Sequence, residues 1–265
     1  MSEAGDLLER CDAFVFDMDG VLYRGDRAVP GAAETLDALR ARGLGVLFLT
    51  NNSSRTPAQY VAKLARMGIS ATEDLILTSA LVTASVLRRR GLADARAIVI
   101  GGDGIRLALK ETGIEVDDDP SSSSADLVVV GWDVGFDFAA LRRASTAARN
   151  GAVFVATNRD ATFPHEDEEW PGAGAILAAV ETAAGRRAEV MGKPHRPMME
   201  EARQRLAGAS SIAMVGDRPE TDLAGAAEMG WTTLLVLSGV TRSAEGVEPA
   251  PDFVVDSIAA LAGRA

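Results

Sequence analysis

The chain has 265 residues, of which 47% are apolar and 25% charged, a composition typical of a globular protein with a sizeable core. Its formal charge of −11 makes binding to nucleic acid or to an anionic membrane unfavourable. Cys11 is the only cysteine, which excludes an intrachain disulfide and fits a reducing cytoplasm. The first residues lack an apolar signal core, and no apolar stretch reaches the roughly 18 residues that span a bilayer, so a cytoplasmic protein is expected.

Short β-rich runs alternate with segments of helical periodicity along the whole chain. The predicted strands are 13–17, 45–50, 96–100, 127–130, 153–156, 212–216 and 232–237. The predicted helices include 32–42, 58–67, 138–149 and 174–184. This alternation favours an α/β fold with parallel sheets and right-handed crossovers.

The motif-bearing strands lie near the two ends of the chain, which predicts an inserted second domain at about 80–185. Within it, three aspartates, a proline and four serines at 117–124 form the one low-complexity stretch. Because such a stretch offers nothing to a core, a solvated loop is expected there.

The most informative segment follows the first strand and reads Asp17-Met18-Asp19-Gly20. Side chains alternate along an extended segment, so Asp17 and Asp19 are expected on one face, and Gly20 allows a sharp turn close to a ligand. Neighbouring carboxylates repel one another unless a cation neutralises them, and Mg²⁺ suits carboxylates combined with a substrate phosphate. The alternative is a tight turn that carries two solvated acids.

Two further motifs could contact a phosphate. Thr50-Asn51-Asn52-Ser53 follows the second strand, where a hydroxyl and backbone N–H groups can cradle a phosphoryl oxygen, although Asn and Ser are also common in turns. Lys193 lies between Gly192 and Pro194, and a lysine held there can place its charge on a phosphate oxygen or on an attacking carboxylate. The alternative is a surface lysine in a loop.

A fourth motif contains Gly216-Asp217-Arg218 and Thr221-Asp222. Asp217 follows the strand 212–216 and Asp222 comes about one helical turn later, so both are expected at the carboxyl ends of the strands, where open α/β sheets bind ligands. Asp217 could bind a metal directly, and Asp222 could orient a metal-bound water or the lysine. Asp222 could instead be a first-turn acid that favours the helix dipole.

Together these four motifs resemble those of the haloacid dehalogenase superfamily of phosphotransferases. More narrowly they resemble subfamily IIA, which has a large α/β cap between the second and third motifs. That branch includes p-nitrophenyl, pyridoxal phosphate, phosphoglycolate and glycerol-3-phosphate phosphatases and bacterial nucleotidases. The segments 156–160 and 171–174 also resemble its cap. The resemblance implies a Rossmann-like parallel-sheet core at 1–79 and 186–265 and a cap at 80–185.

The resemblance also implies a Mg²⁺-dependent phosphomonoester hydrolase. Asp17 would attack phosphorus to form an aspartyl phosphate, and Asp19 would act as general acid and then as general base. An aspartate at position 19 disfavours dehalogenation. The metal ligands would be Asp17, Asp19 through its backbone carbonyl, Asp217 and, directly or from nearby, Asp222. Phosphate contacts would come from Gly20, Thr50, Asn51, Asn52 and Lys193.

The segment 158–171 would be the specificity loop of the cap, with Asn158, Phe163 and His165 as candidate substrate contacts. Related pyridoxal phosphatases are expected to carry a histidine near position 163, where this chain has Phe163 unless a shift of two brings in His165. This departure puts pyridoxal phosphate in doubt. It leaves glycerol 3-phosphate, 2-phosphoglycolate or a nucleoside monophosphate as the substrate.

Two other functions stay open on the sequence. A phosphomutase would use the same aspartyl phosphate but return the group to its substrate, which a large cap suits less well. A catalytically silent metal- or phosphate-binding regulator is disfavoured because no candidate catalytic position is missing. A small phosphorylated metabolite is the expected partner, and a homodimer through an apolar cap face is left open.

Overall fold

The structure is a computed structural model that describes residues 3–165 and 168–262, with the backbone alone at 3, 4, 164 and 165. The strands in chain order are β1 (Ala13–Asp17), β2 (Tyr23–Arg24), β3 (Arg27–Ala28), β4 (Gly45–Thr50), β5 (Ile76–Thr78), β6 (Arg96–Ile100), β7 (Glu115–Val116), β8 (Leu127–Val130), β9 (Val153–Ala156), β10 (Thr162–His165), β11 (Glu168–Pro171), β12 (Glu189–Val190), β13 (Ile212–Gly216), β14 (Thr232–Val236) and β15 (Phe253–Val255).

The nine α-helices among the described residues are α1 (Glu3–Arg10), α2 (Ala32–Ala41), α3 (Pro57–Arg66), α4 (Ser79–Arg89), α5 (Asp103–Glu111), α6 (Phe138–Arg149), α7 (Ala173–Ala184), α8 (Arg196–Arg205) and α9 (Ala224–Glu228). The four predicted helices correspond to α2, α3, α6 and α7, to within one residue at each end. A π-helical turn, Pro219–Leu223, precedes α9.

The chain divides into two compact units. The core unit comprises Met1–Thr50, Ala58–Leu77 and Lys193–Ala265, and the inserted unit comprises Asn51–Pro57 and Thr78–Gly192. The predicted class, α/β with a parallel-sheet core and a large inserted α/β unit, is confirmed. The cap bounds of 80–185 stay a prediction.

The core sheet has the strand order β15-β14-β13-β1-β4-β5. β1 pairs in parallel with both β4 and β13, so that Asp17 is in register with Leu49 and Phe16 with Val215. All five side chains of β1 are buried, and Phe14 and Phe16 stack with ring centroids 6.1 Å apart. Parallel pairing brings the carboxyl ends of β1, β4 and β13 to one edge of the sheet.

The inserted unit has its own parallel sheet, ordered β12-β9-β8-β6-β7. An antiparallel hairpin, β10–β11, lies within the predicted specificity loop, and Phe163 pairs with Trp170 in it. Glu168 and Glu169 belong to β11 and are exposed, and Glu166 and Asp167 lie outside the described residues.

The stretch 117–124 is irregular as predicted, but its first residue is not solvated. The Asp117 side chain is only 5% exposed and lies 3.5 Å from Arg143 and 3.8 Å from Arg96. A buried acid here is tolerated because arginines on neighbouring elements compensate its charge. Over the described parts of the chain, no helix combines the length and apolar character needed to cross a membrane.

Candidate active site

Asp17 is the last residue of β1 and is 9% exposed. Its Oδ1 lies 2.5 Å from Nζ of Lys193, which is 3% exposed and also pairs with Oδ1 of Asp222 at 2.8 Å. One buried ammonium group thus joins two carboxylates that come from opposite ends of the sequence. This arrangement brings together predicted site residues that lie 176 positions apart, Asp17 and Lys193.

Asp217 follows β13, and its Oδ2 accepts a hydrogen bond of 2.6 Å from the N–H of Val240. Asp222 is fully buried, and its Oδ2 accepts hydrogen bonds of 3.1 Å from the N–H groups of Asp217 and Arg218. The π-helical turn that carries Asp222 therefore folds back to hold the segment that carries Asp217. Asp222 lies in the first turn, as the alternative reading of the sequence had it, and its carboxylate also binds Lys193 and the two N–H groups that precede the turn.

One carboxylate oxygen from each of Asp17, Asp217 and Asp222 lies within 4.8 Å of the other two. Gly20 completes the close approach: its φ is 83°, and a Cβ there would lie 2.2 Å from Oδ2 of Asp217. Only glycine fits this position, because both the left-handed backbone and the contact exclude a side chain.

Burial governs the charge of this cluster. It raises the pKa of Asp17 well above its usual range, against the opposing effect of Lys193. Burial, together with the Asp222 charge, raises the pKa of Asp217 to about 7. Burial alone would lower the pKa of Lys193, but Asp17 and Asp222 outweigh it and raise that pKa. The cluster as it stands carries more acid than its lysine neutralises, so it favours either protons or an added cation.

Asp19 is half-buried, and its Oδ2 accepts a hydrogen bond of 3.3 Å from the hydroxyl of Tyr23. Burial and the Asp19 charge raise the pKa of Tyr23, so this hydroxyl keeps its proton and donates it. Nζ of Lys63 lies 3.8 Å above the Tyr23 ring. Tyr23 was not among the predicted site residues, although its position four residues after Asp19 in a tight turn was a usable signal.

Thr50 ends β4 at the same sheet edge and is 3% exposed, in the core unit. Asn51 begins the inserted unit, where Nδ2 donates to both oxygens of Asp160 at 3.0 and 3.2 Å. The main-chain carbonyl oxygen of Asn51 accepts from Nδ2 of Asn158 at 2.7 Å. Asn52 Oδ1 instead caps its own turn by accepting from the N–H and hydroxyl of Ser54.

A small pocket of the inserted unit combines an aromatic wall with polar groups. Phe163 of β10 packs against Trp132, with ring centroids 4.6 Å apart. The other lining residues are Asn52, Asn158, Asp160, Thr162, Gly172 and Ala173. His165 ends β10, and its side chain lies outside the described part of the chain.

Next to Asp160, Arg159 forms a bidentate ion pair with Glu181 of α7 at 2.6 and 2.9 Å. Arg187 contacts the same carboxylate at 2.7 Å, and the N–H of Ala188 donates to it. Burial alone would raise the pKa of Glu181, but Arg159, the Ala188 N–H and Arg187 together lower it to about 2. This network anchors the segment that carries Asn158 and Asp160, and no sequence pattern pointed to it.

Replacing Glu181 with Gln is expected to lower the free energy of unfolding by about 2 kcal/mol at neutral pH, because a nearly buried ionic hydrogen-bond acceptor is lost while exposed arginines screen the effect. The folded pKa lies below the usual 4.5, so the contribution is present above that pH and is lost as the pH falls towards about 2. The Tm of the Glu181→Gln variant should therefore be lower than that of the wild-type protein at neutral pH, and the two Tm values should converge in acid. A difference that stays constant would contradict this account.

Comparison with known proteins identifies the class. A family model for haloacid dehalogenase-like hydrolases matches residues 14–115, and a related model matches residues 190–261. Human chronophin is 39% identical, covering 97% of this chain and 94% of its own. An acid sugar phosphatase of Staphylococcus epidermidis is 36% identical, and the match covers 88% of this chain and 89% of the relative. A glycerol phosphate phosphatase of Mycobacterium tuberculosis was solved in complex with magnesium and superposes with a TM-score of 0.86 at 32% identity. The superposition covers 96% of this chain and 77% of the relative.

The chain therefore belongs to the haloacid dehalogenase-like hydrolases, and within that family it is a phosphatase. The resemblance carried by the four motifs is confirmed.

Proposed function

We propose that this phosphatase is a Mg²⁺-dependent phosphomonoester hydrolase that acts on small phosphorylated metabolites through an aspartyl phosphate on Asp17. The observation that carries this proposal is the buried cluster of the core unit. Three carboxylates there face one ammonium group, which leaves an excess of two negative charges when all are ionised. A divalent cation would neutralise that excess, and buried charge without neutralisation is costly.

The donor set fits magnesium. The cluster offers oxygen atoms, which Mg²⁺ prefers, and the Mycobacterium tuberculosis relative was solved with this ion. We assign Asp17, Asp217 and the backbone carbonyl of Asp19 as ligands. Asp222 lies next to these ligands but is not assigned as one, because Lys193 and two N–H groups already bind its carboxylate oxygens. The ion would supply positive charge for the transferring phosphoryl oxygens.

In the first step, an oxygen of Asp17 bonds to phosphorus while the bond from phosphorus to the leaving oxygen breaks. Asp19 donates a proton to that oxygen as the alcohol departs. In the second step, Asp19 takes a proton from a water whose oxygen attacks the aspartyl phosphate, which releases inorganic phosphate and restores Asp17. Tyr23 supports this assignment, since its hydrogen bond holds the Asp19 carboxylate in place between the two steps.

Lys193 orients Asp17 and, with Thr50 and the backbone at Asn51, stabilises the phosphoryl oxygens. Phosphoryl transfer depends on positioning and charge neutralisation more than on a basic nucleophile, which suits a carboxylate held at 2.5 Å from an ammonium group.

The inserted unit supplies the specificity surface. Phe163 and Trp132 offer an apolar wall, and Asn52 and Asn158 offer polar groups that can bind leaving-group hydroxyls. These features support a compact substrate such as glycerol 3-phosphate, with 2-phosphoglycolate and nucleoside monophosphates as the other candidates.

Phosphate release tests this proposal directly. The substrates are p-nitrophenyl phosphate, glycerol 3-phosphate, 2-phosphoglycolate, pyridoxal phosphate and nucleoside monophosphates, each with magnesium and with chelator. We expect magnesium-dependent release with one preferred natural ester. Release that persists after complete chelation would refute the metal requirement, and isomerised product in phosphorus NMR would indicate a mutase.

A further inference from the structure

Three side chains hold Asn51 in a single orientation. Nδ2 of the Asn51 side chain donates to Asp160, while the main-chain carbonyl oxygen of Asn51 accepts from Asn158 Nδ2 at 2.7 Å and from the Ser79 hydroxyl at 2.6 Å. Asn51, Asn158 and Ser79 are all buried. All of these residues belong to the inserted unit, whereas Thr50 belongs to the core unit.

Asp160 is itself fixed by its surroundings. Its N–H donates to Oδ1 of Asn158 at 3.1 Å, and its carbonyl oxygen accepts from the N–H of Gly174 at 2.8 Å. A Cβ at position 174 would lie 2.3 Å from the carbonyl oxygen of Arg159, so the start of α7 packs directly on this segment. The ion pair between the neighbouring Arg159 and Glu181 also anchors this segment.

The chemistry of this contact sets the orientation of the Asn51 amide. An ionised carboxylate only accepts hydrogen bonds, so it selects the NH₂ end of the amide and turns the oxygen away. Without Asp160, a 180° rotation that exchanges the oxygen and the NH₂ group of the Asn51 side chain would break no hydrogen bond at this contact. Asp160 therefore determines which end of the amide faces the rest of the turn.

We propose that Asp160 is a positioning residue that acts through Asn51, ordering the phosphate-binding turn after β4 before substrate binds. This inference rests on the proposed function, because it assigns the turn to phosphate binding. It also gives the side chain of Asn51 a structural task, and leaves phosphoryl contact at this residue to its backbone.

A double-mutant cycle tests the proposal, with magnesium and p-nitrophenyl phosphate as the probe. Asp160→Ala is expected to lower kcat/KM by about 100-fold, as small misplacements of substrate-positioning groups do. Asn51→Ala should cost about as much, and the double variant no more than Asn51→Ala alone, because the two residues act as one unit. Asp160→Asn can still accept from the amide through its Oδ1 and should retain most of the activity.

The matched control is Asp137→Asn, which alters another inserted-unit aspartate that caps α6 by accepting from Ala140. It should leave kcat/KM unchanged. Losses that simply multiply in the Asp160→Ala and Asn51→Ala double variant would overturn the proposal, as would wild-type kcat/KM in Asp160→Ala.

If the Asp160→Ala variant does not fold, a double variant that exchanges the two side chains tests the proposal instead. Asn51→Asp places two carboxylates face to face and should lose activity, and adding Asp160→Asn should recover about tenfold by restoring a donor opposite an acceptor. No recovery would refute the proposal. Failure of the proposed function would look different, since the wild-type protein would then release no phosphate at all.

Discussion

Asp17→Asn is expected to abolish phosphate release, by about 10⁴-fold or more, as the loss of a nucleophile does in other covalent mechanisms. The amide has no ionised oxygen to attack phosphorus, so no aspartyl phosphate can form. The folded protein should persist, because Lys193 keeps its ion pair with Asp222 and the substitution removes one of three buried acids. Steady-state phosphate release and circular dichroism measure the two effects separately.

Asp12→Asn is the matched control for this experiment. Asp12 precedes β1 at the opposite end of the strand, is exposed, and accepts hydrogen bonds from the N–H groups of Ser210 and Ser211. Its replacement should leave turnover intact. Comparable turnover in the wild-type protein and the Asp17→Asn variant would remove Asp17 from the mechanism.

Lys193→Met is expected to lower the free energy of unfolding by about 3–5 kcal/mol in the absence of divalent cations, because it leaves buried carboxylates without their ammonium partner. It should also eliminate turnover. Magnesium should restore much of the stability, since a ligand that binds only the folded state stabilises it by mass action. The variant should therefore show a larger magnesium-induced shift in Tm than the wild-type protein.

Lys110→Met is the control, because Lys110 is exposed on α5 in the inserted unit. Its replacement should change neither Tm nor the response to magnesium. A Lys193→Met protein with wild-type Tm in chelator would show that the buried cluster does not depend on this ammonium group.

Much of the core site was predictable because its signals are local. Apolar runs ending in Asp17, in Thr50 and before Asp217 predicted strands, and parallel strands that share a sheet place their carboxyl ends together. The Gly20 turn was visible in the sequence for the same reason. The sequence alone could not establish which carboxylate oxygens are available to a metal ion. In Asp222, for example, two N–H groups and the ammonium group of Lys193 already bind the carboxylate oxygens.

The inserted unit was harder to predict because its key contacts are not local. Asn51 and Asp160 are 109 positions apart, and their hydrogen bond leaves no periodic trace in the sequence. The strands β10 and β11 carry two prolines and two adjacent glutamates, a composition that favours a loop until a partner strand supplies the hydrogen bonds. Asp117 was misjudged for a similar reason, since the arginines that bury it come from β6 and α6.

The order of pairing in the core sheet has a consequence for synthesis of the chain. β1 lies between β4, which follows it closely, and β13, which the ribosome adds only after the whole inserted unit. The β6–β9 strands of that unit pair with one another over short sequence separations and can assemble early, while β1 exposes one unpaired edge. Aggregation during translation should therefore begin at the edge of β1 that awaits β13, and a chain that stops before residue 212 should be its most vulnerable form.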